Sequence, residues 1–277
     1  MKIELAESYG FCFGVKRAIK IAEENRNSAT YGPLIHNANE INRLKNDFNV
    51  ALSENLESFK KGDTAVIRTH GIPKEELSVL NERGVNVVDA TCPYVTKPQQ
   101  IVEEMSAQGY DIIIFGDEAH PEIKGVKSYA STNVYVVNSA DEIENLKLRE
   151  KVATVAQTTR KIEDYRQIVG KLMESHKEVR VFNTICNATF DNQDAVRVLA
   201  QKADVMIVIG GKNSSNTKQL HAISKEFCPD SYHIESDADL DPAWFEGKEL
   251  CGVSAGASTP DWIIEGVVRK IELLANS

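Results

Sequence analysis

Short β-branched runs alternate along the chain with stretches whose apolar residues recur at helical spacing. The runs are TAVIRT (64–69), VNVVDA (85–90), YDIIIFGD (110–117), VYVVN (134–138), KVATVAQ (151–157), EVRVFN (178–183), DVMIVIGG (204–211) and ELCGVSAG (249–256). Helical spacing appears in VKRAIKIAEE (15–24), PQQIVEEMSAQ (98–108), IEDYRQIVGKLMESH (162–176), NQDAVRVLAQKA (192–203), TKQLHAISKEF (217–227) and IIEGVVRKIELLA (263–275). Strands that alternate with amphipathic helices predict an α/β protein with mainly parallel sheets. No low-complexity segment or long linker interrupts the pattern.

Reactive side chains punctuate this pattern in the same order three times. Cys12 is followed by a helical stretch, a polar turn holding His36, and a strand ending in RTHGIP with His70. Cys92 is followed by a helix, His120, and a strand ending in QTT with Thr158; Cys186 by a helix, Ser214 in GGKNSSN, and Ser258 in SAGAST. This order predicts three similar α/β units, at 1–80 (with the C-terminal segment packing nearby), 81–175 and 176–277. Each would place one cysteine and two polar residues at strand ends, where open α/β sheets bind ligands. Three such units are expected to face one central cavity.

With 277 residues, 42% hydrophobic and 26% charged, the chain can bury a sizeable core. Its net charge of −9 argues against a generally basic nucleic-acid or membrane-surface binder, so an anionic ligand needs a local site. No run approaches the roughly 18 apolar residues of a membrane span, and MKIELAESYG lacks the basic and apolar parts of a signal peptide. We therefore expect a soluble, cytoplasmic protein with neither a nucleic-acid nor a membrane partner. Five scattered cysteines are an odd number and suggest thiols or metal ligands, not a disulfide framework.

Cys12 (GFCFGV), Cys92 (DATCP) and Cys186 (NTICNA) each stand between a strand-like run and a helix. Free N–H groups and the dipole at a helix start favour an anionic thiolate there, which suits all three to a metal. None belongs to a C-x-x-C pair, so a finger or ribbon zinc site is not expected. Three separate thiolates fit an iron–sulfur cluster with one iron lacking a protein ligand; the alternative is three small buried hydrophobes. Cys228 and Cys251 lack the strand–Cys–helix context and are assigned to packing or surface.

His36, His70 and His120 lie in turns beside Gly or Pro, where imidazole can donate to an anion, whereas His176, His221 and His233 have no accompanying motif. GGKNSSN follows a strand and opens a helix, an anion-binding arrangement in which Ser214, Ser215 and Asn216 supply donors. It is not a Walker loop, and no G-x-G-x-x-G fingerprint for a dinucleotide occurs. AGAST repeats the idea with Ser258, and VAQTT with Thr158 and Thr159. Glu122, in HPE, is placed to deliver protons beside an open metal, with Asp117 and Glu118 as close competitors.

Taken together, GFCFGV, RTHGIP, DATCP, HPE, QTT, the Cys186 segment, GGKNSSN and AGAST resemble, in order from Tyr9 to Trp262, the 4-hydroxy-3-methylbut-2-enyl diphosphate reductase family. The resemblance implies three α/β units around a [4Fe–4S] cluster held by Cys12, Cys92 and Cys186. It implies reductive loss of the substrate hydroxyl to give isopentenyl and dimethylallyl diphosphates, the last step of the non-mevalonate isoprenoid route. His36, His70, His120, Ser214, Ser215, Asn216 and Ser258 match the family's diphosphate-pocket positions; Thr158 matches the threonine near the hydroxyl, and Glu122 the residue held to direct protonation. Electrons would come from a ferredoxin or flavodoxin, and Lys16, Arg17 and Lys20 form either a docking patch or a solvated helix face. The chain is expected to lack both the transit extension of plastid members and an appended RNA-binding module.

Three other classes share parts of this pattern. A non-redox hydro-lyase of the aconitase type would turn over without reductant. An iron–sulfur sensor would leave the diphosphate loops idle, and a zinc hydrolase would need a metal other than iron.

Overall fold

The computed structural model describes residues 1–275. In chain order the strands are β1 (Lys2–Leu5), β2 (Ser28–Tyr31), β3 (Val50–Ser53), β4 (Thr64–Ile67), β5 (Asn86–Asp89), β6 (Asp111–Phe115), β7 (Val134–Val137), β8 (Lys151–Ala156), β9 (Glu178–Val181), β10 (Val205–Ile209), β11 (Ser231–Ile234) and β12 (Leu250–Ala255). The α-helices are α1 (Phe13–Glu24), α2 (Ala38–Phe48), α3 (Lys74–Glu82), α4 (Pro93–Ala107), α5 (Pro121–Lys127), α6 (Ile162–Ser175), α7 (Asn187–Ala200), α8 (Ser215–Phe227) and α9 (Asp261–Ala275). The α/β expectation holds: the strands form three sheets of four, and every pairing among the described residues is parallel. None of these helices is long and apolar enough to cross a membrane.

The chain divides into two compact units, the first comprising Met1–Lys16, Ile35–Asn42 and Asn187–Ser277, the second Arg17–Leu34 and Arg43–Cys186. Unit 1 holds the sheet β1-β12-β10-β11. Its central strand β10 reads VMIVI and is fully buried, because both faces are covered. Val205, Ile207 and Ile209 pack on Ile263, Ile264, Val267 and Ile271 of α9. The alternate residues point the other way, Met206 to Leu199 of α7 and Val208 to Leu220 and Ile223 of α8. A strand covered on both sides must be apolar at every position, and each such side chain contributes about 1.5–3 kcal/mol by leaving water.

Unit 2 holds the sheets β3-β2-β4-β5 and β7-β6-β8-β9. Strand β6, DIIIF, repeats the logic: Ile112 and Ile114 pack with Ile101, Val102 and Met105 of α4 and with Ile123 and Val126 of α5. Phe115 stacks on Tyr165 of α6, with ring centroids 6.0 Å apart.

The three sheets share one topology. In the two sheets of unit 2 the first strand in sequence is interior, the second flanks it at an edge, the third lies on its other side, and the fourth closes the far edge; the sheet of unit 1 has the same order once β1 is counted last. For the sheet in unit 1 the sequence is β10, β11, β12 and then β1, so the chain's first strand supplies the fourth position.

Strand membership therefore differs from the expected division at 1–80, 81–175 and 176–277. Strand β5 closes the β2–β4 sheet and β9 closes the β6–β8 sheet, so Cys92 and Cys186 each end a sheet instead of opening the next unit. The strand ends group as Cys12, Ser214 and Ser258; His36, His70 and Cys92; His120, Thr158 and Cys186. The arrangement of one cysteine with two polar residues survives, with each cysteine shifted by one sheet.

Four strands fall outside the predicted runs: β1 (KIEL), β2 (SATY), β3 (VALS) and β11 (SYHI). Each has only four residues, and three lie at sheet edges, where one-sided burial leaves no continuous apolar run.

Candidate active site

Every candidate side chain lies just beyond the carboxyl end of a strand. In unit 2, α5 starts immediately after the turn that follows β6. His120 is its N-cap, and its Nδ1 accepts the Glu122 backbone N–H at 3.2 Å. That acceptor role at Nδ1 requires the ring hydrogen to sit on Nε2. The His70 ring lies edge-on to His120, with centroids 5.3 Å apart.

Glu122, in the first turn of α5, is 1% exposed. Thr158, just past β8, donates to both its oxygens: the backbone N–H to Oε1 at 2.8 Å and the hydroxyl to Oε2 at 2.7 Å. Burial pushes the Glu122 carboxyl up to about 7, against the opposing pull of these two bonds and of the Arg160 guanidinium. The side chain thus holds or releases a proton near neutral pH. Its competitors are spoken for elsewhere. Exposed Asp117 accepts the Ala119 N–H at 2.9 Å within its own turn, and exposed Glu118 pairs with Lys127 at 2.6 Å.

Arg160 is a site residue that the sequence reading missed. Its guanidinium lies over the Phe115 ring at 5.1 Å and donates to Asn138 at 2.6 Å, while its Nε is buried without a partner among the described residues. The signal was present, since Arg160 directly follows the QTT motif.

In unit 1, β10 ends at Gly210 and Gly211, and Ser214 caps α8 by accepting the Thr217 N–H at 3.2 Å. Ser215 and Asn216 form the first turn of that helix. A Cβ on Gly211 would stand 2.3 Å from the His36 carbonyl oxygen, so only glycine allows this approach. The Ser258 hydroxyl contacts the same carbonyl at 3.4 Å. Asn216 is 5% exposed, and neither its Oδ1 nor its Nδ2 has a partner among the described residues. A buried amide with nothing bonded to it costs about 1–3 kcal/mol, and at a helix N-terminus its natural complement is an anion.

The three motif cysteines occupy equivalent places. Each N–H donates to the neighbouring strand-end carbonyl: Cys12 to Ala257 at 3.3 Å, Cys92 to Thr69 at 3.0 Å and Cys186 to Thr158 at 3.0 Å. Cys92 is the N-cap of α4, and Cys12 and Cys186 immediately precede α1 and α7. All three thiols are half-buried, whereas Cys228 and Cys251 are buried within the apolar packing of unit 1. Burial pushes the Cys251 thiol up to about 12 and raises Cys228 as well, so these two stay protonated. The basic residues after Cys12 divide. Arg17 donates to the Thr91 and Asp89 carbonyls at 3.2 and 3.4 Å, and Lys20 pairs with Glu24 at 3.8 Å.

Comparison with known proteins now adds to this geometry. A family model described as LytB protein matches residues 3–272. The chain belongs to the LytB family. Among LytB relatives, the 4-hydroxy-3-methylbut-2-enyl diphosphate reductase of Sulfurimonas denitrificans is 68% identical over 98% of this chain and 99% of its own. The enzyme of the same name from Sulfurovum sp. is 64% identical over 99% and 100%. A solved structure of (E)-4-hydroxy-3-methyl-but-2-enyl diphosphate reductase, the terminal enzyme of the non-mevalonate pathway, is 46% identical. It covers 98% of this chain and 99% of that one, with a TM-score of 0.73. The Plasmodium falciparum E-1-hydroxy-2-methyl-but-2-enyl-4-diphosphate reductase shares the LytB fold at a TM-score of 0.91 and 26% identity, over 98% and 87% of the two chains.

Proposed function

We propose that this chain removes the hydroxyl of (E)-4-hydroxy-3-methylbut-2-enyl diphosphate by reduction, giving isopentenyl and dimethylallyl diphosphates at the end of the non-mevalonate isoprenoid route. The observation that carries this reading is the Glu122–Thr158 pair, a carboxyl that titrates near pH 7 bonded to a hydroxyl able to pass its proton on.

Cys12, Cys92 and Cys186 would hold a [4Fe–4S] cluster. Soft thiolate donors select such clusters, and the equivalent strand-end bonds of the three cysteines support this assignment. When bound, the cluster would supply the two electrons and a Lewis-acidic iron left open by the three-ligand set. Electrons would reach it from a ferredoxin or flavodoxin in the cytoplasm.

The chain's own residues supply anchoring and protons. The diphosphate is assigned to His36, His70, His120, Ser214, Ser215, Asn216 and Ser258. The Asn216 amide, without a partner among the described residues, supports this reading. As an acid, Glu122 donates through Oε2 to Thr158 Oγ1, which turns the threonine hydrogen toward the substrate hydroxyl. The reaction consumes two electrons and two protons: one proton leaves with the hydroxyl as water, the other joins an allylic carbon. Addition at either end of the allyl unit accounts for two products.

The test is anaerobic purification, iron and sulfide analysis, and turnover of the hydroxylated diphosphate with dithionite and a viologen. About four irons per chain with reductant-dependent loss of the hydroxyl is the expected result. Turnover without reductant, or no iron in anaerobic protein, would overturn it.

A further inference from the structure

The loop between β10 and α8 has a backbone bond of its own, from the Ser214 N–H to the Gly211 carbonyl at 2.9 Å, which leaves Gly210 and Lys212 to outside partners. Gly210 sits at φ +153°, and a Cβ there would stand 2.6 Å from Thr217 Oγ1. Two successive glycines have no side chains with which to fix the turn. The bonds that do fix it come from the end of β11. The Gly210 N–H donates to the Ile234 carbonyl at 2.8 Å. The imidazole of His233 meets the Gly210 carbonyl at 2.8 Å through Nε2; a carbonyl only accepts, so Nε2 carries the hydrogen. Glu235 Oε1 accepts the Lys212 N–H at 2.8 Å, and the Lys212 ammonium donates to the His233 carbonyl. Both sides of the Gly210–Lys212 turn are thereby tied to β11 by side chains that belong to none of the motifs.

We infer that His233 and Glu235 are positioning residues of this loop: by fixing Gly210 and Lys212 they hold Ser214, Ser215 and Asn216 in the arrangement that receives the diphosphate. The inference rests on the reading that this loop binds the diphosphate. Neither side chain is among the residues assigned to the diphosphate. Their effect is on the fraction of molecules whose loop is already in the binding conformation, and apparent affinity falls in proportion to that fraction. Once substrate is bound the loop is held by its ligand, so the loss belongs to KM and not to kcat.

The experiment uses the cluster-loaded enzyme, with steady-state kinetics and calorimetric titration of inorganic pyrophosphate. His233→Leu and Glu235→Ala are each expected to raise KM and the pyrophosphate Kd about tenfold, the factor that corresponds to ~1.4 kcal/mol, with kcat within about twofold. His233→Gln keeps an N–H for the Gly210 carbonyl and restores most of the loss. Glu235→Gln keeps the acceptor for Lys212 without the charge and behaves like the parent. Asn216→Ala serves as the separate check on the diphosphate reading. If it leaves KM and pyrophosphate binding unchanged, that reading of the loop fails and the inference falls with it. If Asn216→Ala weakens binding while His233→Leu and Glu235→Ala do not, the positioning role alone is wrong. A loss in which kcat falls as KM rises, and which glutamine at 233 does not restore, also overturns it.

Discussion

Replacing Glu122 by glutamine separates the acid from the hydrogen bonds around it. The amide oxygen still accepts the Thr158 N–H, and the amide nitrogen can donate to Thr158 Oγ1, so both bonds at 2.7–2.8 Å have a counterpart. What disappears is the proton. A positioned general acid contributes about 10²–10⁴ in rate, so kcat should fall by that factor, about 2.7–5.5 kcal/mol of barrier. In the parent enzyme the acid form is required, and activity should decline as pH rises through about 7. The same shift also makes folding stability depend on pH. The carboxyl ionises near 4.5 in the unfolded chain and at about 7 in the fold. Below 4.5 both states hold the proton. Between 4.5 and 7 the unfolded state releases it first, so folding stability falls with rising pH, by up to about 3 kcal/mol above 7. Glu122→Gln has no proton to release and escapes this loss. Denaturant melts at pH 4, 6 and 8 should therefore show the variant gaining on the parent as pH rises, while viologen-coupled turnover shows it nearly inactive. Parent-like turnover, or two stability curves that stay parallel across this range, would refute the reasoning.

Serine at Cys12, Cys92 or Cys186 should abolish or cripple iron retention on anaerobic iron analysis, whereas Cys228→Ser and Cys251→Ser should keep it, since those two thiols are buried and protonated. Asn216→Ala should raise KM about tenfold or more yet leave the melting temperature unchanged or slightly higher, because it deletes a buried amide with no partner. Gly211→Ala should cost about 1–3 kcal/mol by thermal melt and weaken substrate binding, because its methyl would meet the His36 carbonyl at 2.3 Å.

The fold was most legible where burial is two-sided. VMIVI is apolar at every position and DIIIF at all but Asp111, because helices cover both faces, and that demand is written into the residues themselves. SATY in β2 and SYHI in β11 carry no such mark; their extended form comes from parallel partners far away in sequence. For the same reason the grouping of cysteines was misplaced by one sheet: whether β5 closes one sheet or opens the next depends on pairing that no local pattern encodes. The candidate site was legible as a set of residue types at strand ends. The choice among Asp117, Glu118 and Glu122 was not, because it turns on burial, and three carboxylates within six residues differ chiefly in which one the fold removes from water. Arg160 escaped notice because a cation beside a motif usually marks a solvated surface.

The joining of β1 to β12 bears on the order in which a nascent chain can mature. All strands of the two sheets in unit 2 lie between residues 28 and 181, so each can pair as soon as its own stretch has been synthesised. The sheet of unit 1 cannot. Lys2–Leu5 is made well before its neighbour Leu250–Ala255, a pairing of very high sequence separation and hence slow closure. Cys12, whose N–H is anchored to Ala257, is likewise made long before the residue that fixes it. Any ligand that needs Cys12 in its folded position therefore has to wait for the segment around Leu250–Ala257 to be made.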